Sequence, residues 1–249
     1  MRVFRGIVFC AAIVGLIVGL AIGFVQHFST TELIARAEVY EQAAEALKDA
    51  ATPAAAPPVV AKHDHAAAGH NHVAADDQHD VAAWEPREGF ERMAFTFLAN
   101  VVTAIGYALA LAGLFALRGK PVDWREGLLW GLAGFIVVTV APGLGLTPSL
   151  PGVPAAPLFD RQLWWTGTAL ATAAGLALLA FGRTPFLAAL GLALLIAPHV
   201  IGAPQLASVE TNVPAALSHQ FTVAVIMTSM LFWAMLGSLS GALYRRFAD

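Results

Sequence analysis

The sequence predicts an all-α, polytopic integral membrane protein with six transmembrane helices and one long extracytoplasmic His-rich linker. Three observations lead there. Charged residues make up only 12% of the chain, against about 25% in soluble domains, and hydrophobic residues make up 58%. Six apolar runs approach the ~20 residues that cross a bilayer. Between the first and second run lies a stretch with no apolar period, rich in Ala, Pro and His.

Phe4–Val25 is the first run, with Arg2 and Arg5 at its start. It exceeds the ~7–15 apolar residues of a secretory signal, so residues 1–25 are expected to stay as transmembrane helix 1. Gly15, Gly19 and Gly23 are spaced by four, a small-residue stripe that lets another helix approach closely. Cys10 is the only cysteine, which excludes a disulfide or a cysteine metal cluster within one chain. Its expected role is packing.

Residues 26–92 are expected to hold an extracytoplasmic amphipathic helix and a flexible linker. Ser29-Thr30-Thr31-Glu32 has the form of a capping box, with Ser29 as N-cap. Leu33, Ala37, Tyr40, Ala44 and Leu47 then recur at helical spacing. The carboxylates among them read as a solvated face, although Glu38 and Glu41 approach His27 if the helix folds back. The linker that follows carries His63, His65, His70, His72 and His79, interleaved with Asp64, Asp76, Asp77 and Asp80. Two His-x-His pairs with nearby carboxylates offer N and O ligands that suit Co, Ni, Cu(II) or Zn. The plainer reading is a polar spacer.

Residues 93–249 are expected to form a five-helix transmembrane bundle. Its spans read as Met93–Leu117, Gly127–Leu146, Leu163–Phe181, Phe186–Gly202 and His219–Leu243. Pro142 with Gly143 and Gly145 predicts an irregular end to the second of these. Trp164 and Trp165 suit the membrane interface. Gly237 and Gly241 form a second small-residue pair. Met227 and Met230 read as packing.

Lys and Arg divide unequally between the two sides. One side collects Arg2, Arg5, Arg118, Lys120, Arg125, Arg183, Arg245 and Arg246, and the short loops of the other hold Arg161 alone. The positive-inside rule then puts both termini in the cytoplasm. That orientation carries His27, His199 and His219 to a similar depth near the outer face. An ionisable residue inside an apolar span needs a partner and marks a candidate site. His199 follows Pro198, which removes a helical donor and loosens the turn before it. His199 is therefore the expected central ligand of a transient metal site, with His27 and His219 as neighbours and Gln26, Glu38 and Glu210 as weaker candidates. The plainer reading is a histidine that bonds a neighbouring helix.

The sequence contains no His-Glu-x-x-His motif, no nucleophile–base set and no Gly-x-x-x-x-Gly-Lys loop. These absences argue against an enzyme and against nucleotide binding by this chain. A transporter subunit and a non-transporting metal-sensing or assembly partner remain as readings.

Several stretches carry a family resemblance. They are Pro142-Gly143-Leu144-Gly145-Leu146 with Leu150-Pro151-Gly152, then Arg161-Gln162-Leu163-Trp164-Trp165, then Pro198-His199 with Gly202-Ala203-Pro204. With Gln26 and Glu91-Arg92, they resemble the CbtA family of predicted cobalt transporter subunits. The resemblance covers both ends and all six spans, and leaves out the alanine-rich linker. It implies Co2+ as cargo, no permanently bound cofactor, and a role in cobalt supply for cobalamin synthesis. It also implies a small single-span, histidine-bearing partner, CbtB. Membrane lipid is an expected contact, a homo-oligomer is allowed, and no nucleic acid is expected.

Overall fold

The computed structural model describes residues 2–51, 86–87, 89–206 and 211–248. His63, His65, His70, His72, His79 and Glu210 lie outside the described residues. The described chain is helical, with no strand among these residues. Its elements are α1 (Arg2–Phe28), α2 (Thr30–Ala51), α3 (Phe90–Arg118), α4 (Trp124–Phe135), α5 (Ala141–Gly143), α6 (Leu158–Phe181), α7 (Pro185–Ile201) and α8 (Ala215–Ala248). A π-helical turn, Ile136–Val140, joins α4 to α5.

Among the described residues, five stretches are long and apolar enough to cross a membrane: Phe4–Phe28, Phe90–Arg118, Trp124–Gly143, Leu158–Phe181 and Ala215–Phe247. α7 is shorter, at 17 residues. The helices start earlier than the apolar runs suggest, α6 and α8 by the most. α6 begins at Leu158 and takes Asp160 and Arg161 into its first turn, and α8 begins at Ala215, before His219. Polar residues are tolerated in a first turn, where the backbone N–H groups lack helical partners.

Glycine stripes set the helix pairing. A Cβ on Gly15, Gly19 or Gly23 of α1 would collide with Ile105, Val101 or Phe97 of α3, respectively. The partner numbers fall as the glycine numbers rise, so α1 and α3 run antiparallel. Gly127 and Gly131 of α4 meet Gly237 and Gly241 of α8 in the same way. In the α6–α7 hairpin, a Cβ on Gly175 would lie 2.8 Å from the Gly191 carbonyl oxygen. Without a hydrophobic drive between helices in lipid, such backbone contact is a main source of packing energy.

The principal core sits among α1, α3 and α8. Cys10, Val14 and Val18 pack with Ala104, Ala108 and Phe115 and with Trp233 and Leu236. Cys10 is 1% exposed, in keeping with a packing role. α1 therefore belongs to the same bundle as the later helices.

The junction of α1 and α2 differs from the expected capping box. The Ser29 hydroxyl donates backward to the Val25 carbonyl at 2.8 Å. Glu32 pairs instead with Arg36, one turn ahead. The Ser29 hydroxyl is thus turned toward the preceding turn instead of capping the next one, and the chain passes from α1 to α2 with a single non-helical residue. α2 does fold onto the bundle. Its Ala37 is fully buried against Leu150, Val213, Leu217 and Phe221.

Pro142 marks an irregular helix end, as its position predicts. Its ring and missing N–H disfavour the regular i−4 ladder, and the preceding turn widens so that the Ala141 N–H donates to the Ile136 carbonyl. Pro198 behaves differently. It is buried inside α7, and the helix continues for three further residues to Ile201. The expected loosening at His199 does not break the helix.

Candidate functional site

Two cavities open near the end of the bundle where α1 stops and α3 begins, here termed the linker end. The first has a volume of about 740 Å³ and lies among α1, α2, α3 and α8. Its lining includes Gln26 and His27 from the last turn of α1, Glu38 from α2 and Arg92 from the first turn of α3. Two long-range polar contacts hold these helices together. The Asn100 carboxamide donates to the Gln26 side-chain oxygen at 2.7 Å. The Arg92 guanidinium donates to both Glu38 carboxylate oxygens, at 2.5 and 3.3 Å. The Arg92 and Glu38 side chains are 41% and 24% exposed, so solvent screens the pair only in part.

This cavity brings together two of the ligand types that bind divalent transition metals, an imidazole and a carboxylate. His27 is exposed and its ring stacks edge-on against Phe28 at 5.0 Å. Glu38 is already occupied by Arg92. The guanidinium already offsets the charge of this carboxylate and would compete with a cation for it.

The second cavity, about 1010 Å³, lies beside the linker-end turn of α6 and includes Arg161, Gln162, Trp165 and Gln205 in its lining. The three motif segments meet beside it. Gly145 packs against the Trp164 ring and Ala203. The Gln205 side-chain amide donates to the Gly145 carbonyl at 2.9 Å. The His199 ring approaches Trp164 edge-to-face, with centroids 6.2 Å apart at 70°. Trp164 is thus the common neighbour of segments 142–146 and 198–205.

The expected convergence of His199 with His27 and His219 is not what the structure builds. Among the described residues, no group of three or more His, Cys, Asp or Glu side chains could hold a metal ion. His27 shares a cavity with Glu38. His199 sits on α7 beside Trp164, and His219 is exposed in the first turns of α8. Similar depth along a helix says nothing about azimuth, and these three histidines are carried by different helices.

Three participants escaped the sequence reading: Asn100, the Arg92–Glu38 pair and the placement of Arg161 in a helix lining a cavity. Each left a signal. Asn100 is a lone carboxamide in an apolar helix, and Arg92 is a cation placed just before one. Arg161 is the exception in the Lys/Arg count.

A family model described as "Probable cobalt transporter subunit (CbtA)" matches residues 4–245. No curated protein and no solved structure matches the chain. The matched range runs from the first turns of α1 to the last turns of α8, and so takes in both cavities and the three segments that meet at Trp164. This multi-pass helical chain therefore belongs to the CbtA family of probable cobalt transporter subunits.

Proposed function

We propose that this chain is the membrane subunit through which Co2+ is taken up across a bacterial inner membrane, for supply to cobalamin synthesis. The observation that carries the site is the shared cavity of His27 and Glu38 at the linker end of the bundle. The family membership supplies the cargo. In this reading His63, His65, His70, His72 and His79 collect metal ahead of the cavity, with Glu210 and His219 as further candidate ligands. His199 is a second ligand position, completed by donors other than its described neighbours.

Six crossings and cytoplasmic termini belong to the same proposal. α7 has 17 residues, which span about 25 Å at 1.5 Å per residue, slightly less than the ~30 Å hydrocarbon core. Its antiparallel packing along α6 favours a full crossing. The excess of Lys and Arg at the end opposite the linker favours a cytoplasmic position for that end. A small single-span, histidine-bearing partner of the CbtB type completes the transporter, since the family is named as a subunit.

The test is uptake of radioactive cobalt by cells expressing the full chain with its partner. Glu38→Gln and His27→Gln keep hydrogen-bonding capacity and weaken metal ligation. Each is expected to lower uptake at scarce metal while the protein level in the membrane stays normal. Unchanged uptake in the double variant removes the cavity from the pathway.

A further inference from the structure

We propose that the cavity beside the linker-end turn of α6 is an anion site for a phosphate group, held by Arg161. The cation's cavity has a carboxylate and an imidazole. This one has neither. Arg161 is the only ionisable residue among the described residues that line it. Arg161 has no ion pair among the described residues, and its Nε is buried with no hydrogen-bond acceptor there. A buried guanidinium N–H without an acceptor is a costly arrangement, and a turn of the side chain toward the cavity lets a phosphate oxygen accept from its paired N–H donors.

The surroundings favour the same ligand. The remaining polar lining is uncharged and includes Gln162, Gln205, Thr147, Ser149 and Thr166. α6 begins at Leu158, in the same lining, after Pro157, which provides no side-chain cap. The first N–H groups of a 24-residue helix therefore lie beside the cavity, where the helix dipole favours negative charge. Asp160 is in this first turn but is not part of the lining.

Two sources can supply the phosphate. Leu158, Phe159 and Leu163 are all more than 60% exposed around the same turn, which sets Arg161 at the level where an apolar surface gives way to lipid headgroups. A phospholipid headgroup can reach the cavity from the side, and inorganic phosphate can reach it from solution. A positive charge in this cavity also keeps a divalent cation out of it, so the site is distinct from the His27–Glu38 cavity and does not depend on the cobalt reading.

The experiment uses the full chain purified in detergent and stripped of lipid. Its unfolding midpoint is followed with inorganic phosphate against chloride at equal ionic strength. A parallel series uses phosphatidylglycerol against the phosphate-free diacylglycerol, with lipid retention read by native mass spectrometry. A rise in midpoint with either phosphate-bearing probe supports the site, and the probe that works identifies the source. R161Q is expected to weaken that binding about ten- to hundredfold, the loss of charge-assisted hydrogen bonds. If R161Q does not fold, R161K serves instead. It keeps the charge, loses the paired donors, and is expected to bind several-fold more weakly. Three results overturn the proposal: no response of the wild-type protein to either probe, Arg161 variants that bind as wild type does, or binding seen only after Glu210→Gln. The last would mean that an internal carboxylate fills the cavity.

Discussion

Arg92 and Glu38 are fifty-four positions apart and meet at 2.5 Å, tying α2 to the first turn of α3. One end of this pair is a candidate metal ligand. The other is the guanidinium that already offsets its charge. The pair thus ties α2 to α3 across the wall of the cavity.

Breaking the pair from the cation side should separate these roles. In Arg92→Gln the Glu38 carboxylate is no longer countered. Cobalt binding at the cavity is expected to tighten, and turnover at abundant metal is expected to fall because release slows. Isothermal titration on the purified protein and initial uptake rates check the two effects. Weaker binding in Arg92→Gln would show that the guanidinium positions the carboxylate.

The glycine stripe of α1 should be sensitive in proportion to the contact it makes. Gly19→Ala places a methyl in the Val101 backbone, an overpacking that typically costs about 1–3 kcal/mol. Gly106→Ala meets nothing within 4 Å and is expected to be neutral. Thermal unfolding in detergent compares the two. Equal midpoints would mean that α1 and α3 do not pack through this stripe.

Topology is checked with one introduced thiol. In a Cys10→Ser background, Ala67→Cys is expected to react with a membrane-impermeant maleimide in intact spheroplasts. Reaction only after permeabilisation would place the linker in the cytoplasm and reverse the proposed direction of transport.

Linker capture should depend on metal supply and on pH. Deletion of residues 62–80 is expected to slow uptake at scarce cobalt and to have little effect at abundant cobalt. Neutral imidazole is the ligand, so the linker's contribution should fade as pH drops through about 6.5, the ordinary histidine value. Uptake lost at every cobalt concentration would make the linker the pathway itself.

His199→Gln distinguishes a ligand from a packing residue. Gln retains a hydrogen-bonding side chain but binds transition metals poorly. Abolished uptake at normal membrane abundance supports the ligand reading. Normal uptake leaves His199 as the edge-on neighbour of Trp164, a structural role.

The apolar runs, the Pro142 irregularity and the close-packing glycines of α1 were legible in the sequence by itself. Each is a local property. Span length follows from hydrophobicity along the chain, and a four-residue stripe follows from the helical repeat. The candidate ligands His27 and Glu38 were legible as residue types, and so was the prospect that α2 folds back. Only the tertiary structure decided which of them meet. It placed Glu38 and His27 in one cavity, gave Glu38 to Arg92, and set His199 against Trp164, with no group of three ligands among the described residues. It also drew Arg161 from a presumed loop into the first turn of α6. The physical reason is that depth along a helix can be read from its sequence, whereas azimuth and partner depend on packing. That packing is set where glycines let two backbones touch, between residues as far apart as Gly19 and Val101 or Gly127 and Gly237.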